Sequence, residues 1–472
     1  MDLTLAFHGG AGTVTGSRFL LSAGANRILI DCGLFQGLKE LRLLNWRPPA
    51  FDVRSLDAVL VTHAHIDHTG YLPRLVREGF RGPIYATPAT LELAEVLLLD
   101  AARLQEEDAE YANRKGYSKH HPALPLFTTA DAEAALRRMK AVDFDEWLDP
   151  GGPFAVRYQS AGHILGSAHI EVRASPGGYR ATVVFSGDVG RYDMPLHIDP
   201  VPPPPCDALV LESTYGDRLH EDTPLEEQLR RALAETVRRG GTVLIPAFAV
   251  ARVQLVTLML RRLMESGALP EIPIHIDSPM AVDVTRIYQR YLGSEELDSD
   301  VGGHASRSIF PRNVRFHRSV EESRALNDLP GPRIIISSSG MLTGGRVLHH
   351  LRRLAGDPKN LIALAGYQAV GTRGRALLEG ATTIRMHGED IPVRARVISL
   401  DGFSAHADAS ELVKWALSGP GMPETIFLAH GEPDAQQALA ARLRDASVPQ
   451  VSIPRPGQEF TFIPASRRWR SS

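Results

Sequence analysis

His63-Ala64-His65-Ile66-Asp67-His68 follows directly on the apolar run Leu56 to Val61, and its reading decides the fold. Three histidines and an aspartate within six residues have little use in a core, because imidazoles and carboxylates are poor core material. They are, however, the ligands that zinc and its neighbours in the first transition row accept. His63 and His65 stand two apart and can point to the same side of an extended turn. Asp67 and His68 come one turn later and can face a second ion. The spacing therefore predicts a strand-end loop built for two metals.

Outward from this loop the chain reads as a layered α/β protein. Strands are expected at Leu3 to Phe7, Arg18 to Ser22, Arg27 to Ile30 and Leu56 to Val61, separated by turns rich in Gly and Pro. A short helix is expected at Gly70 to Glu78 and a longer one over Ala89 to Arg114, followed by strands Phe154 to Gln159, His169 to Arg173, Ala181 to Phe185 and Ala208 to Leu211. From about Tyr215 helix and strand alternate: helix Pro224 to Arg239, strand Thr242 to Pro246, helix Ala251 to Ser266, strand Ile272 to Asp277, helix Pro279 to Leu292, strand Arg333 to Ile336, helix Gly345 to Leu354 and strand Asn360 to Ala363. That alternation is the signature of a parallel sheet with covering helices. The closing Ser466 to Ser472 segment, which carries Arg467, Arg468 and Arg470, is expected to be a frayed terminus.

Composition sets further bounds. A length of 472 residues suggests two or three domains. A formal net charge of -3 excludes a globally basic nucleic-acid binder and asks instead for a local positive groove. Two cysteines, Cys32 and Cys206, argue against a disulfide scaffold and for a reducing, cytoplasmic setting. The sequence carries no signal-peptide pattern and no run long enough for a membrane span, so no membrane association is expected.

Four more strand ends carry ligand-type side chains: Gly162-His163, Gly187-Asp188, Ser404-Ala405-His406-Ala407-Asp408 and Ala429-His430-Gly431. Singly each is weak, but layered folds collect such groups at one edge of their sheets. Together they can complete a site. His63, His65 and His163 would hold one zinc, Asp67, His68 and His430 the other, and Asp188 would bridge them. A water held by both ions would lose a proton near neutral pH and become a nucleophile. Asp31, at the end of strand Arg27 to Ile30, is a candidate to orient one of the ligand histidines; a plain turn-forming aspartate fits the same spacing.

The H-x-H-x-D-H motif with later His, Asp and His at strand ends resembles the metallo-β-lactamase superfamily. Leu211 to Gly216, Ser338 to Arg346, Gly366-Tyr367-Gln368 and Phe403 to His406 resemble that superfamily's β-CASP nuclease branch. The nearest likeness within it is to bacterial homologues of the cleavage and polyadenylation specificity factor nuclease subunit. The resemblance implies an αββα sandwich split by an inserted parallel α/β cap, with the first part of the metallo-β-lactamase domain at 1–213, the β-CASP domain at 214–395 and the second part at 396–472. It implies catalytic roles for Asp67, Glu212 and His406, with Glu212 supporting His406 beside the scissile phosphate. It also implies that His430, at the place of the family's third extra motif, marks an RNA-processing member. One departure is His8 in Phe7-His8-Gly9-Gly10, where relatives usually carry an apolar residue.

The implied activity is a zinc-dependent ribonuclease acting on single-stranded RNA, endonucleolytic and also able to act as a 5′ exonuclease. Two zinc ions per chain are expected, with manganese as the alternative. Ser338, Ser339, Gly340, Thr343 and Gly344, in a small-residue loop between strand and helix, and Arg373 are candidates for phosphate contact. Phe248 reads as a packed aromatic rather than a base-stacking one. A homodimer and RNA-processing partners are compatible with this reading. The competing readings are a catalytically inactive RNA-binding scaffold and a metallo-hydrolase for another substrate. A dead copy should have lost ligands, and a small-substrate hydrolase leaves the long insert between Glu212 and His406 unexplained.

Overall fold

The computed structural model describes residues 1–116, 118–302, 309–386 and 388–472. The described chain divides into two compact units. One comprises Met1–Asp193, Asp199–Leu219 and His406–Ser472; the other comprises Met194–Ile198 and His220–Ala405.

The first unit is built on an eight-stranded and a seven-stranded sheet. Their inner faces alternate apolar residues along each strand, as Leu3, Leu5 and Phe7 do in one sheet and Ile170 and Val172 in the other. These side chains interdigitate with Val183, Phe185, Phe427 and Phe460 to form one buried core. The outer face of the seven-stranded sheet packs Leu209, Leu211, Ile426 and Leu428 against helices Ala409–Leu417 and Pro433–Asp445. The fold is thus the layered metallo-hydrolase sandwich that the sequence implied.

Each sheet has an antiparallel and a parallel part. In the first sheet the strands Asn26–Ile30, Ala58–Leu60 and Ile84–Ala86 run parallel. In the second, Ala181–Phe185, Ala208–Glu212 and Thr425–Ala429 do so. Parallel strands deliver their carboxyl ends to the same edge, where α/β folds gather functional loops. Asp31, His63 to His68, Asp188, Glu212 and His430 all lie at such ends.

The second unit carries a six-stranded sheet whose neighbours all pair in parallel, centred on strands Thr242–Pro246 and Arg333–Ser337. Its helices bury Leu348, Leu351 and Leu354 against Leu244, Ile335 and Ile362. The predicted alternation of helix and strand is seen here with boundaries shifted by one or two residues.

The helix expected at Gly70 to Glu78 is seen as Leu72–Arg77, and a further short helix that the sequence reading did not expect, Ile66–Thr69, precedes it. Pro73 explains the break between the two: it lacks an N–H and suits the first turn of a new helix, not the interior of a continuous one. The C-terminal segment is not frayed. Arg468–Ser471 pairs antiparallel with Glu459–Ile463, and Trp469 is 2% exposed against the rings of Phe462 and Phe427. A single buried indole outweighs three flanking arginines there. Finally, helix Thr129–Leu136 and the short strands Met139–Ala141 and Trp147–Leu148 have no counterpart in the sequence reading, because runs this short leave no periodicity.

Candidate metal centre

The turn that carries the ligands is held by backbone before any side chain acts. Cys32 N donates to His68 O at 2.7 Å, Ser17 N to Asp67 O at 2.9 Å and Leu34 N to Ile66 O at 3.0 Å. Gly33 must be glycine for this clamp, since a Cβ there would lie 1.6 Å from the Asp67 carbonyl oxygen. Gly187, at φ +56°, lets the Asp188 loop approach the Thr62 side chain, 2.8 Å from where its Cβ would stand.

Two groups of donor atoms result. His63 Nε2 lies 3.1 Å from His65 Nδ1, and His163 Nε2 lies 3.4 Å from the same atom. Asp188 Oδ2 completes this group at 3.4 Å from His63 Nε2 and 3.6 Å from His163 Nε2. In the second group His430 Nε2 lies 3.3 Å from His68 Nε2 and 3.4 Å from Asp67 Oδ2. Asp188 Oδ1 faces it, 3.3 Å from His68 Nε2 and 3.5 Å from His430 Nδ1. Apart from Asp67 and His65, which are partly exposed, these side chains are buried.

These spacings fit zinc. A tetrahedral ion with ligand bonds of about 2.0–2.1 Å separates its ligands by about 3.3–3.4 Å. Hydrogen bonding alone does not account for the arrangement, because Asp188 Oδ1 is buried and accepts no well-formed hydrogen bond. A buried carboxylate oxygen left so among imidazole nitrogens is a donor set prepared for a cation.

Electrostatics separate the two groups. Burial holds His63 and His163 well below the usual imidazole range and His65 at about 4. Burial also opposes charge on His68, yet Asp188 and Asp31 outweigh it and hold His68 well above that range. Asp188 is kept well below the usual carboxylate range, against burial, by His430, His68 and His63. The first group's imidazoles are thus held toward the neutral form, whereas in the second His68 is held toward the protonated form.

Outer partners fix the rings. Asp31 Oδ2 lies 2.7 Å from His68 Nδ1, while its carboxylate accepts Thr62 N and Thr62 Oγ1, each at 2.8 Å. Thr62 Oγ1 also lies 3.1 Å from His63 Nδ1. Thr214 Oγ1 lies 3.1 Å from His430 Nδ1. The sequence reading missed both threonines. Thr214 had a signal, since it follows Glu212 by two residues in the quoted motif; Thr62 had only its place beside His63. His406 Nδ1 lies 3.1 Å from Glu212 Oε1, and Glu212 is held by Val189 N at 2.8 Å and Thr214 N at 3.2 Å. His8 stands apart from the ligands, its ring 5.0 Å from that of Phe51.

The candidate phosphate loop lies in the second unit. Ser339 Oγ accepts Thr343 N at 3.0 Å and also bonds Thr343 Oγ1 at 3.0 Å. Ser338 Oγ is buried with no hydrogen-bond partner, and Gly344 faces open space. Gly340 has a packing reason for its identity, because a Cβ there would meet the Phe248 ring at 2.7 Å. Arg373 donates from Nε to Arg385 O at 2.9 Å and from Nη1 to Leu342 O at 3.0 Å, which ties it to the loop's own backbone.

Comparison with known proteins adds three family matches: a β-lactamase superfamily domain over residues 26–238, a Beta-Casp domain over 253–377 and a Zn-dependent metallo-hydrolase RNA specificity domain over 390–454. The chain is 39% identical over 456 residues to ribonuclease TTHA0252 of Thermus thermophilus, covering 95% of this chain and 98% of that protein. It is 32% identical over 464 residues to transcription termination factor FttA of Methanocaldococcus jannaschii, covering 96% of this chain and 70% of that protein. A crystal structure of a protein of unknown function from Enterococcus faecalis matches with TM-score 0.53 at 13% identity, over 98% of this chain and 100% of that one, which is a likeness of fold alone. Among the described residues no helix is long and apolar enough to cross a membrane.

Proposed function

This chain belongs to the β-CASP branch of the metallo-β-lactamase superfamily, and from that premise we propose how it works as a zinc-dependent ribonuclease on single-stranded RNA. The reading assigns two zinc ions per chain, with manganese as the alternative. His63, His65, His163 and Asp188 Oδ2 would hold one ion; Asp67, His68, His430 and Asp188 Oδ1 would hold the other. The observation that carries this count is Asp188, whose Oδ2 faces His63 Nε2 and His163 Nε2 in one group while its Oδ1 faces His68 Nε2 in the other.

The chemistry that zinc would supply there is activation of a water as nucleophile and offset of the charge that builds on the phosphate. The protein's own groups do the rest. Asp31, Thr62 and Thr214 hold ligand rings through their far nitrogens, which fixes tautomer and orientation. Glu212 holds His406 by Nδ1, so that the ring offers Nε2 to the scissile phosphate and gives its proton to the leaving 3′-oxygen. The products are a 3′-hydroxyl and a 5′-phosphate. Cleavage is endonucleolytic, with 5′ exonuclease action as a second mode. Cys32 and Cys206 are both buried free thiols, which suits the reducing, cytoplasmic setting.

The test is cleavage of a labelled single-stranded RNA and of its DNA counterpart by the zinc-loaded protein. RNA is expected to be cut to fragments ending in 3′-hydroxyl, and His406→Ala to lower kcat by about 10²–10⁴-fold. Equal rates on RNA and DNA would overturn the substrate assignment.

A further inference from the structure

Glu212 fixes the His406 ring at Nδ1, but a catalytic group is placed by its backbone as well as by its ring. The backbone of His406 belongs to a short stretch, residues 406–408, that is laid along the segment carrying Asp188. His406 pairs antiparallel with Gly190, and Ala407 N donates to Val189 O at 2.9 Å. Gly190 in turn abuts the His163 loop. Its N donates to Ala161 O at 2.7 Å, and a Cβ there would stand 2.1 Å from Gly162 O. Asp408 bridges in parallel to Tyr215, just beyond Glu212.

Glu411 ties the far end of this stretch. Asp408 is the N-cap of helix Ala409–Leu417, and Glu411, third in the helix, completes a capping box with it. Asp408 Oδ1 accepts Ser410 N at 2.8 Å and Glu411 N at 2.9 Å, and Glu411 Oε2 accepts Asp408 N at 2.9 Å. The box needs only one oxygen of Glu411. The other, Oε1, accepts Tyr192 N at 3.3 Å, from a segment 219 residues away in sequence. The Arg191 guanidinium stands 3.7 Å from Oε2, with both side chains mostly buried. Two other helices show what a capping box alone requires. Asp131 accepts the backbone N–H of Thr128, its own cap, and Glu322 accepts those of Arg318 and Ser319 beside it. The bond from Tyr192 is therefore more than the cap of helix Ala409–Leu417 demands.

We propose that Glu411 is a positioning residue for the general acid. It locks the stretch that carries His406 onto the segment that carries Asp188, so that the acid keeps its place relative to the scissile phosphate. The proposal rests on His406 acting as that acid. Misplacing a catalytic group by about 1 Å costs on the order of 10²-fold in rate, which sets the scale of the effect. Glu411→Asp separates the tie from the cap. Asp131 fills the same place in its own capping box, so an aspartate satisfies the cap, but a side chain one methylene shorter draws back from Tyr192.

The test is steady-state cleavage by the zinc-loaded protein of a short single-stranded RNA and of bis(p-nitrophenyl) phosphate, whose leaving group departs without a proton. Glu411→Asp and Glu411→Gln are each expected to lower kcat on RNA by about 10–100-fold with KM and zinc content unchanged. Both are expected to hydrolyse bis(p-nitrophenyl) phosphate at the wild-type rate, because no acid is needed there. Glu411→Asp combined with His406→Ala is expected to be no slower than His406→Ala alone, since two residues acting through one step are not additive. Glu322→Gln, which alters another capping box, is expected to leave kcat unchanged.

Wild-type kcat on RNA in a folded Glu411→Asp or Glu411→Gln protein would overturn the proposal. So would a full additive loss in the double variant, an equal fall on both substrates, or loss of zinc, each of which would make Glu411 a support of the fold or of the metals. His406→Ala separates the two readings. A wild-type rate on RNA in His406→Ala overturns the acid assignment and the proposal with it; a fall in His406→Ala without one in the Glu411 variants overturns the proposal alone.

Discussion

Replacing Asp31 by Asn probes how the second group of ligands is prepared. Asp31 is fully buried with φ at +57°, a conformation Asn adopts as readily as Asp, so the backbone is expected to stay in place. The carboxylate accepts Thr62 N and Thr62 Oγ1 and faces His68 Nδ1 at 2.7 Å. An asparagine can keep its oxygen toward Thr62 N, but its NH₂ then meets His68 Nδ1, a donor against a donor. The ring must move its proton to Nε2, the nitrogen that faces Asp188 Oδ1 at 3.3 Å. That removes the lone pair a metal needs. Loss of such an outer partner costs about 10–100-fold in metal affinity, or roughly 1.4–2.7 kcal/mol at 1.36 kcal/mol per decade. The assay is competition for zinc against a chelator of known affinity, with wild type and variant side by side. One zinc should weaken by that factor, while the zinc of His63, His65 and His163, which meets Asp31 only through Thr62, should change far less. Wild-type affinity for both ions in Asp31→Asn would refute the reasoning.

Three further outcomes are expected. Glu212→Gln should lower kcat with little change in KM, because Glu212 orients His406 rather than touching RNA; an altered KM at constant kcat, read from steady-state cleavage, would contradict that role. Trp469→Ala should destabilise the protein by about 3–5 kcal/mol in denaturant unfolding, since the indole is buried against Phe427 and Phe462; a change below about 1 kcal/mol would return the segment to a frayed tail. On acidification zinc should leave the Asp67, His68 and His430 group first, because His68 is held well above the usual imidazole range and regains its proton readily. In the metal-free protein the shift in the first group runs the other way from that of His68. His65 at about 4 stays neutral while the unfolded chain binds protons below about 6.5, so this contribution costs stability as pH falls from 6.5 toward 4.

The histidine motif made the metal centre legible because ligand residues at strand ends have few competing uses. The parallel part of the fold was equally legible, since the unbroken apolar run Thr242–Pro246 is followed by the long helix Arg252–Glu265 with its helical periodicity. What stayed hidden depends on contacts across the chain. Thr214 gains its role only because strands Ala208–Glu212 and Thr425–Ala429 are neighbours, which puts it against His430. Thr62 acts because Asp31 ends the adjacent parallel strand. Trp469 was masked by its arginines, and Gly340 looked like a phosphate loop glycine although Phe248 occupies the space beside it.

The measurement closest to the central claim is zinc content together with RNA cleavage in Asp188→Asn. The account predicts two zinc per wild-type chain, at most one in the variant, and no cleavage by the variant under conditions where the wild type cuts single-stranded RNA. An Asp188→Asn protein that keeps both ions and still cleaves RNA would contradict it.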